Sequence, residues 1–86
     1  MADRTITGID VGTYHVKVVI ARQSQQTSGQ MRSSIIGTGF AESRGMRHGY
    51  VVNESALIKS LRSALAQAEK SAGVEVKHAY LSIGGV

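Results

Sequence analysis

Thr5-Ile6-Thr7-Gly8-Ile9-Asp10-Val11-Gly12-Thr13-Tyr14-His15-Val16-Lys17-Val18-Val19-Ile20-Ala21 is the stretch that orders the rest of the chain. β-branched residues dominate residues 5–11 and 16–21, and such residues favour a pleated, half-buried surface, so both runs read as strands. Gly12 breaks the first run. The residues Gly12-Thr13-Tyr14-His15 leave room only for a tight turn, so the two strands are expected to be antiparallel neighbours.

Working outward, residues 24–34 (SQQTSGQMRSS) are polar and contain Gly29, which predicts a solvent-exposed, mobile hairpin loop. Residues 35–41 (IIGTGFA) read as a third strand, in which Gly37 and Gly39 permit a bend or a close backbone approach. Residues 42–49 (ESRGMRHG) read as another loop, and Tyr50-Val51-Val52 as a brief return to extended structure.

Asn53 is a candidate N-cap, since its side chain can accept from a free N–H of a first helical turn. Glu54 follows, where negative charge suits the helix dipole. Leu57, Ile58, Leu61, Ala64, Leu65, Ala68 and Ala72 recur with a helical period, while Lys59, Arg62, Ser63, Gln67 and Lys70 fill the other face. The spacing predicts a helix over 54–72, about 28 Å long, stopped by Gly73. Residues 78–83 (HAYLSI) read as a last strand, ended by Gly84-Gly85. The order is β-β-β-α-β, and the strand reached by the helical crossover is expected to lie parallel to a neighbour. A helix on one face of such a sheet leaves the other face open, so the chain is expected to continue beyond Val86.

Composition narrows the classes. At 86 residues the chain is one small domain or part of a larger one. An apolar share of 42% argues against wholesale disorder. It has no cysteine, which excludes disulfides and thiolate metal sites. No run approaches the roughly 18 apolar residues of a membrane span, and Met1-Ala2-Asp3-Arg4-Thr5 carries no apolar signal run, so a cytoplasmic chain is expected. The net charge of +4 comes from scattered basic residues, of which only Arg44, Arg47 and His48 cluster; that reads as solvated surface rather than a nucleic-acid footprint.

The chemistry is concentrated in residues 8–17. Asp10 ends a buried strand, Gly12 and Thr13 follow, and Lys17 lies seven residues after Asp10. A carboxylate at a strand end can hold a hydrated Mg²⁺, which prefers oxygen ligands and keeps its waters. Gly12 lets the backbone turn closely. Successive amides of such a turn form a nest for phosphate oxygens, Thr13 adds a hydroxyl donor, and Lys17 can neutralise phosphate charge. The alternative is an ordinary hairpin in which Asp10 and Thr13 satisfy the turn backbone.

GIDVGT and the D-x-G-x-x-x-x-K spacing resemble the first phosphate loop of the actin, Hsp70 and sugar-kinase superfamily. Further blocks sharpen the resemblance. They are Ile35-Ile36-Gly37-Thr38-Gly39, Ser43-Arg44-Gly45-Met46-Arg47-His48-Gly49-Tyr50-Val51-Val52-Asn53, Ala66-Gln67-Ala68-Glu69-Lys70-Ser71-Ala72-Gly73 and Ala79-Tyr80-Leu81-Ser82-Ile83-Gly84-Gly85. Their succession resembles the FtsA family of bacterial cell-division proteins over essentially the whole chain, most specifically in S-R-G-M-x-x-G-x-V. Residues 24–34 are longer than the family pattern, Asn53 stands where Asp is usual, and Gly84 where Ser is usual.

The resemblance implies a ribonuclease H-like, actin-like ATPase α/β fold. Residues 1–83 would be the first part of subdomain 1A, and 84–86 the start of the inserted subdomain 1C. It implies ATP and Mg²⁺ as cofactors in a site completed only beyond Val86. Asp10 would hold Mg²⁺ through water, Gly12, Thr13, Tyr14 and His15 would form the turn around the phosphates, and Lys17 would contact them. No catalytic residue is assigned. It also implies self-association into actin-like filaments, FtsZ and other divisome proteins as partners, and attachment to the cytoplasmic face of the inner membrane through a C-terminal helix. The chain alone is expected to bind ATP weakly or not at all. A pilus-assembly relative, PilM, is the alternative of the same fold, and an interaction module without nucleotide is another. The strand order also fits a nuclease of ribonuclease H type, but such sites need several carboxylates around two metals, and residues 78–83 offer none. His15, His48 and His78 lack metal-ligand spacing.

Overall fold

The hairpin expected from the opening stretch forms, and a four-stranded mixed sheet is assembled around it. The computed structural model describes residues 4–84; Met1, Ala2, Asp3, Gly85 and Val86 lie outside the described residues, and with them most of the expected boundary at 84–86. β1 (Arg4–Val11) pairs antiparallel with β2 (His15–Gln25), Val11 opposite Val16. β2 pairs antiparallel with β3 (Met31–Glu42). A small hairpin follows, in which β4 (Met46–Arg47) forms inside the segment expected to be loop and pairs with β5 (Tyr50–Val51), where extended structure was expected. Then come α1 (Glu54–Ala72) and β6 (Tyr80–Ile83), which lies parallel to β1 as the crossover requires. The sheet order is β3-β2-β1-β6.

The strand pleat decides what is inside. Val16, Val18 and Ile20 on β2 and Val11 on β1 are fully buried beneath α1. The opposite face, with Val19, Phe40 and Tyr80, stays exposed. α1 sits close because the residues meeting it are small. A Cβ on Gly39 would stand 1.8 Å from the Ala64 carbonyl oxygen, and one on Gly37 would stand 2.5 Å from that of Ala68. The close approach expected at these glycines is therefore present.

Both ends of α1 are as expected. Asn53 is extended (φ −145°) and its side chain accepts from the Ala56 N–H at 3.1 Å; Gly73 is left-handed (φ 71°) and donates to the Glu69 carbonyl. The buried stripe differs in one place. Ile58 is 40% exposed, and Ser60 is buried in its stead. Ser60 is satisfied there, since its Oγ accepts from the Arg44 N–H at 3.0 Å and donates to the Ala56 carbonyl at 3.4 Å.

Two further expectations need correction. Residues 24–34 are not one long loop: the ladder continues to Gln25 and resumes at Met31, and only the turn closed by Gln26 N–H to Gln30 O at 2.7 Å lies outside it. Main-chain pairing carries this arm where side-chain hydrophobicity gives no signal. The last strand begins at Tyr80 rather than His78, the preceding chain being held to α1 by Val76 N–H donating to Glu69 Oε2 at 2.7 Å.

Candidate functional site

The expected site residues converge at the C-terminal end of β1. Asp10 is the penultimate residue of that strand, and the two-residue register places Lys17 directly opposite on β2 and Ser82 opposite on β6. All three lie on the face turned away from α1, where cross-strand neighbours on one face stand about 5 Å apart. Asp10 and Lys17 are both exposed, and among the described residues no ion pair joins them. Both charges are thus available to a ligand. Beside them is a depression of about 480 Å³ lined by Gly8, Ile9, Asp10, Lys17, Val19, Tyr80, Leu81 and Ser82. Its floor is apolar sheet, and its polar groups gather at the end near the turn.

The turn itself is tight. Gly12 N–H donates to the His15 carbonyl at 2.9 Å, so this amide closes the turn and does not point outward. A Cβ at Gly12 would stand 3.2 Å from the same oxygen. The Thr13 and Tyr14 amides have no acceptor among the described residues. They are the donors left to an anion. Tyr14 is 72% exposed, and its carbonyl accepts from the Ser43 N–H at 2.8 Å. The His15 ring stacks on Phe40, centroids 4.6 Å apart, which leaves its backbone as its contribution to the turn.

Thr13 has a partner that sequence reasoning missed. Its Oγ1 accepts from the Gly49 N–H at 3.0 Å, which ties the turn to the β4–β5 hairpin and leaves the hydroxyl proton free to donate. The segment carrying Gly49 adopts left-handed backbone at Gly45 (φ 83°), His48 (φ 51°) and Gly49 (φ 82°). Ser82 was missed as well, because its place beside Asp10 depends on the parallel register of β6. Gly84 N–H donates to the Val11 carbonyl at 3.1 Å and brings the end of β6 to the turn.

Among the described residues no three of His, Cys, Asp and Glu gather into a metal site. A cation at Asp10 would therefore keep most of its water ligands, which suits Mg²⁺. The exposed carboxylate, the lysine opposite and the two unused amides fit a magnesium-bound phosphate group. No helix among the described residues is long and apolar enough to cross a membrane.

In sequence the chain is similar to the cell division protein FtsA of Streptococcus pneumoniae, 35% identical over 79 residues, which are 92% of this chain and 16% of that protein. It is 41% identical over 70 residues to the cell division protein FtsA of Enterococcus faecalis, covering 81% of this chain and 15% of that one. With the cell division protein FtsA of Pseudomonas aeruginosa it shares 30% over 82 residues, 95% of this chain and 19% of that one. The chain thus spans less than a fifth of the length of these relatives. No family model matches it. Its fold is similar to part of a diol dehydratase-reactivating factor in nucleotide-free form, with a TM-score of 0.54 and 24% identity over 83% of this chain and 10% of that one.

Proposed function

The chain belongs to the FtsA family of cell-division proteins over the stretch it shares with them, and from that premise we propose that it is part of an actin-like cell-division protein and supplies one wall of an ATP site. The observation that supports this reading is the pairing of Asp10 with Lys17 across the end of β1, beside a turn with unused amides. Asp10 holds Mg²⁺ through its hydration shell. Lys17 faces the phosphates and offsets their charge. The Thr13 and Tyr14 amides and the Thr13 hydroxyl donate to phosphate oxygens, as in backbone anion nests generally. Gly12 closes the turn, and His15 contributes main chain while its ring rests on Phe40. Mg·ATP, when bound, supplies the charged phosphate group that these residues hold.

In this reading residues 1–83 form the first part of subdomain 1A and 84–86 open subdomain 1C. The remaining walls come from residues past Val86, and the ribonuclease H-like arrangement is that of actin-like ATPases. The protein self-associates into filaments, engages FtsZ and other divisome proteins, and lies on the cytoplasmic face of the inner membrane through a C-terminal helix, without binding nucleic acid.

The test is Asp10→Ala in the protein as its gene encodes it, read by magnesium-dependent binding of a labelled ATP analogue. Asp10 is exposed, so the variant is expected to fold. Affinity is expected to fall by about tenfold or more, as for loss of a charge-assisted contact. Unchanged affinity would overturn the role of Asp10 in the site, and no binding by the unsubstituted protein would overturn the ATP reading itself.

A further inference from the structure

Past the end of α1 the β2–β3 hairpin runs on without cover. Ala72, the last helical residue, lies against Gly37, and residues 31–35 of β3 are all exposed. β3 is an edge strand. Its outer edge is capped lower down, where the Phe40 N–H donates to Gln67 Oε1 at 3.1 Å; among the described residues nothing bonds the edge at 31–35.

This arm carries charge of one sign. Residues 11–41 contain no Asp or Glu, whereas Arg22 and Arg32 stand on the arm. The register Arg22↔Ser34 and Ser24↔Arg32 makes the two arginines diagonal neighbours on one face. Ala21↔Ile35 and Gln25↔Met31 put Ile35 and Met31 on the other face, 66% and 59% exposed. Neither arginine has a carboxylate within ion-pair distance among the described residues.

We propose that residues 31–35 of β3 are the docking edge for an extended segment of a partner protein in which acidic and apolar side chains alternate. Five residues give an edge about 17 Å long. In strand addition the main chain supplies attachment and alternate side chains supply selectivity. An added strand continues the pleat, so every second side chain stands beside Arg32 and Ser34 of β3, with the long Arg22 side chain reaching across from β2 on the same face, and the others stand beside Ile35 and Met31. A second copy of this chain fits less well, because two joined arms would gather four guanidinium groups on one face with no carboxylate among them. Residues 21–35 hold no aromatic side chain on which a base could stack. Two arginines are also too few to hold a protein on anionic lipid, where basic clusters are larger.

The test titrates the protein, as its gene encodes it, into a fluorescein-labelled peptide of alternating Glu and Val, with alternating Lys and Val as the control. Fluorescence polarisation and amide hydrogen exchange are read together. The expected result is saturable binding of the Glu–Val peptide with new protection at residues 31–35. Binding should weaken by about tenfold when Arg22→Ser and Arg32→Ser are combined, as two exposed ion pairs would give. Both arginines are exposed, and circular dichroism confirms that the variant folds. No binding of the Glu–Val peptide, equal binding of the Lys–Val peptide, unchanged affinity in the double variant, or protection elsewhere would each overturn the proposal. Tighter binding to phosphatidylserine vesicles or single-stranded DNA through these arginines, or a dimer joined at this edge, would overturn it by assigning another occupant.

Discussion

One strand carries both characters of this molecule. On β2, Val16, Val18 and Ile20 are fully buried against α1, while Lys17 and Val19 between them are exposed. The pleat alone separates the two sets, and the helix covers one of them. The helix side holds the fold together, through apolar burial and through an unusually close backbone approach at Gly37 and Gly39. The open side holds the charged pair and the shallow apolar depression. If this division is right, substitutions on the two sides should separate stability from binding.

The seam between α1 and β3 should be the most sensitive place. A methyl group on Gly39 would stand 1.8 Å from the Ala64 carbonyl oxygen, 2.8 Å from its carbon and 3.0 Å from the Ala68 nitrogen. All three are backbone atoms, which no rotamer change can move aside, so α1 would have to lift and open voids over Val18 and Ile20. Gly39→Ala is expected to cost about 4 kcal/mol or more, beyond the usual range for overpacking. Urea unfolding followed by circular dichroism measures it. A loss under about 1 kcal/mol would mean that the helix shifts freely, and the rigid side of the comparison would be lost.

Much of this seam could be read from the chain in advance, and the reason is local. Asn53 and Gly73 mark helix ends through their own backbone chemistry, and Gly37 with Gly39 marks a close approach through the absence of side chains. The opposition of Asp10 and Lys17 follows from the shortness of the turn between them. What could not be read depends on remote placement. The outer half of the β2–β3 arm has neither face covered, so no alternation of apolar residues announces it. Ser60 looks like a surface residue until the Arg44 amide is brought to it. Ser82 and Gly49 join the candidate site only through the parallel register of β6 and the fold of the chain between β3 and α1.

A smaller effect is expected where the packed side meets solvent. Asn53 caps α1 by accepting from the Ala56 N–H at 3.1 Å and is itself exposed. Asn53→Ala should cost about 1 kcal/mol, the usual value of an N-cap side chain, and Asn53→Asp should restore it, because Asp caps equally well. Thermal unfolding distinguishes the two. If both variants were equally destabilised, contacts other than the cap would be setting the start of the helix.

The smallest effect should fall on the open face, where it carries the most information. Val19 is flanked on β2 by the fully buried Val18 and Ile20, yet it is 38% exposed and borders the depression beside Asp10 and Lys17. If that face is solvated in the protein as its gene encodes it, Val19→Thr keeps the β-branched shape, adds only an exposed hydroxyl, and should change stability by less than about 0.5 kcal/mol. If another part of the protein packs against this face, the same hydroxyl is buried without a partner and should cost about 1–3 kcal/mol. The size of this one change, measured by urea unfolding, therefore reports whether the face bearing the charged pair is open or is the inner surface of a larger structure. The large cost at Gly39 is expected in either case.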